Sequence, residues 1–200
     1  MVAIITGDII NSDSYMESEW IGVLKQYLSK LGDSPVVWDI YRGDEFQVKV
    51  SVEKALHVVI GIKSCVKSIK GLDVRMGIGI GEESYTGSSV SQSNGTAYQR
   101  SGRVFESLKQ KKLNLAIATD DTNYDDTINL ILKLTLDFMN DWSVVSAEIV
   151  SLALENSEAS QQEIAQELNI KQSAVSQRQK RARLDLLFEL LEYYKRTLPN

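Results

Sequence analysis

A single cysteine, Cys65, and a single histidine, His57, stand in a chain of 200 residues. One thiol cannot close an internal disulfide, which suits a reducing compartment. With no Cys or second His beside it, His57 reads as a solvent-facing side chain off the apolar stripe of its helix, not as a zinc ligand. Cys65 lies among apolar neighbours and reads as a small packed hydrophobe. Proline occurs only at positions 35 and 199. No apolar run approaches the ~20 residues that span a bilayer, and the first residues enter a strand pattern with no basic and hydrophobic signal segment before it. The expectation is a cytoplasmic protein with no membrane partner. Positive charge is also in short supply, with 22 Lys and Arg against 27 Asp and Glu and a net charge of −5. That balance excludes a broad basic field, so any surface for nucleic acid must be local.

What is present is a composition of globular type, 43% hydrophobic and 24% charged, long enough for one full core and a small second domain. Its most informative stretch is residues 41–50, Tyr-Arg-Gly-Asp-Glu-Phe-Gln-Val-Lys-Val. Gly43, Asp44 and Glu45 separate two runs of β-formers, residues 36–41 and 46–50, which predicts a hairpin with carboxylates at its turn. Asp8 follows the apolar run 2–6 at the end of a predicted first strand. Gly-Asp pairs are ordinary turn chemistry. Two of them at the ends of core strands also suit Mg²⁺, which takes one or two carboxylates and completes its shell with water and phosphate.

Helical spacing runs through Trp20, Ile21, Leu24, Tyr27, Leu28 and Leu31, and again from 52 to 69 through Ala55, Val58, Val59, Ile62, Val66 and Ile69. Residues 72–81 read as a strand in which Gly77, Gly79 and Gly81 fall on one face and leave it bare, for a packed helix or a ligand to approach. A polar loop over 82–95, a helix over 96–111 and a last strand over 113–119 complete the series. Strand, helix, hairpin, helix, strand, helix, strand is an α/β (α+β) sandwich. An acidic boundary at 119–126 leads into an apolar helix over 128–138, expected to be buried between domains or subunits.

Residues 160–178 have the pattern of a helix-turn-helix. Ser160 and Glu163 form a capping box, Ile164 and Leu168 face a core, Ala165 is small at the helix crossing, Asn169 suits a left-handed turn, and Ile170 and Val175 anchor the second helix. Between Leu168 and Leu184 the charges are Lys171, Arg178, Lys180, Arg181 and Arg183, with no acid. Such a run suits phosphate, while Gln172, Ser173, Ser176 and Gln177 could reach base edges. The alternative is a solvated helix in a protein-interaction module. Residues 184–194 continue as an apolar-rich helix suited to dimerisation.

Thr6-Gly7-Asp8-Ile9, Arg42-Gly43-Asp44-Glu45-Phe46 and the strand 74–81 occur in the order found in class III nucleotidyl cyclases and GGDEF diguanylate cyclases, and the chain resembles them over roughly its first 120 residues. Segment 95–103 resembles the class III segment with an Asn and an Arg, here Gln99 and Arg103. With the helix-turn-helix behind it, the whole is similar to the SatD family of bacterial proteins. The resemblance implies a palm-type, ferredoxin-like domain over 1–122, a connecting helix over 123–141 and an all-α helix-turn-helix domain over 142–200. It implies that Asp8 and Asp44 hold Mg²⁺ or Mn²⁺ on a nucleoside triphosphate, with Glu45 as a further ligand, Gly7, Ile9, Arg42, Gly43 and Gln99 near the nucleotide, and Arg103 stabilising the transferred phosphoryl group. Arg42 replaces the first Gly of the GGDEF signature, Ile40 stands where class III adenylyl cyclases place a lysine, and Gln99 replaces the Asn. The functional expectation is a homodimeric, DNA-binding regulator whose first domain binds a nucleoside triphosphate or cyclic nucleotide. The alternatives are an active nucleotide cyclase or nucleotidyltransferase and a ligand-free dimerisation module.

Overall fold

The computed structural model describes residues 1–41 and 43–199. Alternation along the first strand, β1 (Val2–Ile10), sends Ala3, Ile5 and Ile9 into the main core and Ile4 into a smaller cluster behind it. After helix α1 (Glu17–Ser29) comes the hairpin of β2 (Trp38–Tyr41) and β3 (Glu45–Val50), then helix α2 (Ala55–Lys67) and β4 (Asp73–Gly81). Helix α3 (Thr96–Lys111) and β5 (Leu115–Ala118) follow. The strands form one sheet in the order β2-β3-β1-β4-β5, antiparallel except for the parallel pair β4–β5. The first six elements therefore make the βαββαβ arrangement of ferredoxin-like folds, extended by α3 and β5.

Helices α1 and α2 cover one face. Trp20, Leu24 and Leu28 of α1 are buried there, and almost every residue of α2 is buried. A helix apolar on all sides has to be covered on all sides. The sheet covers one side of α2, and helix α5 (Val144–Glu155) lies against it. Helix α3 covers the opposite face by lying directly on the bare glycines. A Cβ at Gly79 would stand 2.1 Å from the Ala97 carbonyl oxygen and 2.2 Å from the Ser101 nitrogen, and one at Gly77 2.7 Å from the Phe105 nitrogen. The close approach that the three glycines foretell is thus a helix backbone.

Helix α4 (Thr122–Met139) closes the β5 edge. Asn129 accepts from the Ile117 N–H and donates to the Ile117 carbonyl, both at 2.8 Å, and so pairs an edge that would otherwise stay open. Beyond α4 and α5 come α6 (Gln161–Glu167), α7 (Gln172–Ala182) and α8 (Leu184–Thr197). One apolar core runs without a break from Ile5 and Ile78 through α2 to Val150, Val175 and Leu191. The fully buried Tyr194 donates to the Val52 carbonyl at 2.7 Å. Lys63, 1% exposed, is neutralised where α2, β4 and the end of α4 meet, donating to Asp73 at 2.7 Å and to Asn140 at 2.9 Å. A buried ammonium is tolerable only with such partners. His57, expected to face solvent, is half-buried instead, because α5 and α8 cover that side of α2. Among the described residues no helix is long and apolar enough to cross a membrane.

Candidate functional site

Register brings three charged residues into a row. Asp8 on β1 lies opposite Glu45 on β3 and opposite Arg75 on β4, so the three side chains share the sheet face that α3 covers further along. The Arg75 guanidinium donates to Asp8 Oδ2 and lies 5.8 Å from the centre of the Phe105 ring on α3. The other carboxylate oxygen of Asp8, Oδ1, is sealed from solvent and has no hydrogen-bond partner among the described residues. At the hairpin turn, Asp44 accepts a 2.5 Å hydrogen bond from Ser12, which lies in the short turn after β1. Gly43 there has φ +83°, a conformation open to glycine, with empty space where a Cβ would stand.

The remaining residues expected near a nucleotide are placed as follows. Gly7 points to the main core, where a Cβ would stand 2.6 Å from the Phe46 ring, and Ile9 is buried in that core. Gln99 and Arg103 are exposed on the outer side of α3, one turn apart and away from Asp8. Arg42 lies outside the described residues. Arg75, Phe105 and Ser12 were not singled out by sequence reasoning. For Arg75 the signal was there, since it falls on the same strand face as Gly77, but only strand register shows that Asp8 is its neighbour.

The row continues along the face as a polar file. Ser101 donates to Thr6 at 2.7 Å, Gln47 donates to Thr6 at 3.2 Å, and Lys49 pairs with Glu83 at 3.2 Å. Burial works against ionisation of Glu83, but hydrogen bonds from Thr86, Tyr98 and Lys49 outweigh it and hold this carboxyl below its ordinary value. Tyr98, donating to Glu83 at 2.5 Å, is pushed up by burial and by that same hydrogen bond. Segment 82–95 is tied to the sheet here, with a bridge between Tyr85 and Asn94 at its own neck.

Chemically, Asp8 with Asp44 and Glu45 offers hard oxygen donors at one end of the sheet. Among the described residues no group of three or more His, Cys, Asp or Glu is arranged as a metal cage. The unpartnered Asp8 oxygen is nonetheless the kind of atom that a cation or its water satisfies, and Mg²⁺ needs only one or two carboxylates. That sealed oxygen is the feature of this end of the sheet that a divalent ion would fit.

The residues expected to form a helix-turn-helix lie at the other end of the chain. The Ser160–Glu163 capping box starts α6, Asn169 takes φ +50° in the turn 168–171, and Ile164, Ala165 and Val175 are buried where α6 meets α7. Lys171, Gln172, Ser173, Ser176, Gln177, Lys180 and Arg181 are exposed, whereas Arg178 is half-buried, 3.8 Å from Glu148 on α5. Gln172 is also held to Gln161 of α6, which in turn donates to Gln179 at 2.7 Å.

The sequence profile described as the SatD family matches residues 1–193. Among solved structures the chain is similar to the active GGEEF domain of a diguanylate cyclase from Vibrio cholerae, with 15% identity and a TM-score of 0.41 over 60% of this chain and 83% of that one. No curated protein matches.

Proposed function

The chain belongs to the SatD family, and from that membership and the geometry of its two ends we propose that it is a DNA-binding regulator whose sheet domain binds a nucleotide with a divalent metal. The observation that carries the reading is the outer side of α7, where Lys180 and Arg181 stand beside the polar Ser173, Ser176 and Gln177 in a chain that is otherwise acidic. A local basic patch of this kind supplies phosphate contacts, and the polar residues nearer the helix start supply base contacts. At the other end, Asp8, Asp44 and Glu45 are the residues that would hold Mg²⁺ or Mn²⁺, whose chemistry there is neutralisation of phosphate charge.

A second reading, nucleotide cyclisation or transfer, is favoured by one observation. Gln99 and Arg103 are exposed on α3, where they would reach the reacting phosphate of a second copy rather than of their own. A dimer is supported by the groove between α4 and α8. Leu134 and Leu186 are exposed beside it, 67% and 47%, and its walls carry Asp137, Glu189 and Glu192 as well as Arg183 and Arg196. A two-fold interface joins the same patch of each copy, and a patch carrying apolar surface with both signs of charge can meet its own copy in that way.

Incubation with each nucleoside triphosphate and Mg²⁺ or Mn²⁺, followed by melting curves and product analysis, tests the sheet site. A metal-dependent rise in melting temperature that Asp8→Asn and Asp44→Asn each remove is expected. Turnover would select the second reading, and a melt unmoved by any nucleotide would remove both. Light scattering on the same samples checks the dimer, which Leu134→Glu should dissociate.

A further inference from the structure

We propose that a cavity between the helical layer of the sheet and the C-terminal helices binds a small amphipathic anion, an apolar body carrying one acidic group. The cavity measures about 640 Å³ and its walls come from α1, α2, α5 and α8. That volume is typical of small-molecule sites. It is distinct from the Asp8 face, lying on the opposite side of the sheet.

Its lining is divided by chemistry. Leu31, Val58 and Leu154 give an apolar wall, extended by Gly61, whose missing side chain leaves room for the Tyr27 hydroxyl. Lys30 and Glu155 neutralise one another across the mouth at 2.7 Å. Lys54 and Lys195 remain against Glu53, and Lys195 also pairs with the exposed Glu192 on its own helix at 3.0 Å. Burial pushes His57 below its ordinary value, the Leu154 carbonyl opposes that, and Lys195 and Lys54 push it lower still. Both lysines thus share the cavity wall with the imidazole, although the chain as a whole carries −5. An acid group seated between Lys54 and Lys195, with its apolar body on Leu31, Val58 and Leu154, satisfies both halves of the lining.

The position has a regulatory consequence, which rests on the reading of α7 as a DNA surface. A ligand bridging α2 and α5 fixes how α5 seats on the sheet layer, and α5 is the helix against which α7 packs, with Glu148 beside Arg178.

Fluorescence titration of the full chain with anilinonaphthalene sulfonate, an amphipathic anion, tests the site without DNA, so its outcome is separate from that of the DNA reading. Saturable binding of one probe is expected, weakened about tenfold or more by Lys54→Glu with Lys195→Glu, both exposed positions, and unaffected by the equal charge change Lys109→Glu with Lys111→Glu, exposed on α3. Ser151→Phe, which fills the cavity, should also displace the probe. Affinity unchanged in the variant at 54 and 195, or weakened equally by the α3 pair, would overturn the proposal.

Discussion

Asp8 combines two facts that pull in opposite directions: one oxygen is engaged by Arg75, and the other is sealed with no partner. Removing Arg75 leaves a half-buried carboxylate uncompensated, so Arg75→Ala should cost about 1–3 kcal/mol. Asp8→Asn together with Arg75→Met should cost less than the sum of the single changes, because each removes the other's need for a partner. Denaturant melts of the three variants check this, and strictly additive losses would mean that the pair carries no coupling. His57 supports a second prediction at this scale. Its folded value lies below the ordinary 6.5, so the unfolded chain takes up a proton that the folded chain resists. The stability concerned is present above about pH 6.5 and is lost as pH falls through the folded value. His57→Gln should therefore lose less stability than the wild type between about pH 7 and pH 5, measured by urea melts at each pH.

At the scale of elements, α3 depends on the absence of side chains beneath it. Gly79→Ala would drive a Cβ into the Ala97 carbonyl and the Ser101 nitrogen, backbone atoms that cannot rotate aside, and should cost about 3 kcal/mol, the upper end of the usual range for overpacking. Gly22→Ala on exposed α1, where nothing lies within 4 Å of the new methyl, should instead stabilise by about 0.5–1 kcal/mol. Paired thermal melts check both signs. These two glycines also show what was legible in the sequence. Alternation told that one face of β4 was bare, but a helix and a ligand leave the same gap, and only tertiary packing separates them. The hairpin and the α6–α7 turn could be read because Gly43 and Asn169 mark backbone conformations that few other residues adopt. The Asp8–Arg75 pair could not be read, since it depends on the register of residues 67 positions apart. The coverage of His57 likewise depends on α5, nearly a hundred residues away in the chain.

Across the whole molecule, the sheet layer and the C-terminal helices share one apolar core, joined at Lys63 with Asp73 and Asn140 and at Tyr194 with Val52. A change at one end therefore meets continuous packing on its way to the other, as the proposed coupling of a nucleotide site to a DNA surface would need. On the proposed function, the exposed face of α7 contacts phosphate. Each phosphate neutralised adds about 0.9 to the slope of log affinity against log salt. The direct measurement is a salt titration of DNA binding by fluorescence anisotropy, on the wild type and on Lys180→Ala with Arg181→Ala. A slope shallower by about 1.8 is expected in the double variant, with weaker binding to every sequence tested. An identical slope and affinity in the two proteins, or no DNA binding by the wild type at low salt, would contradict it.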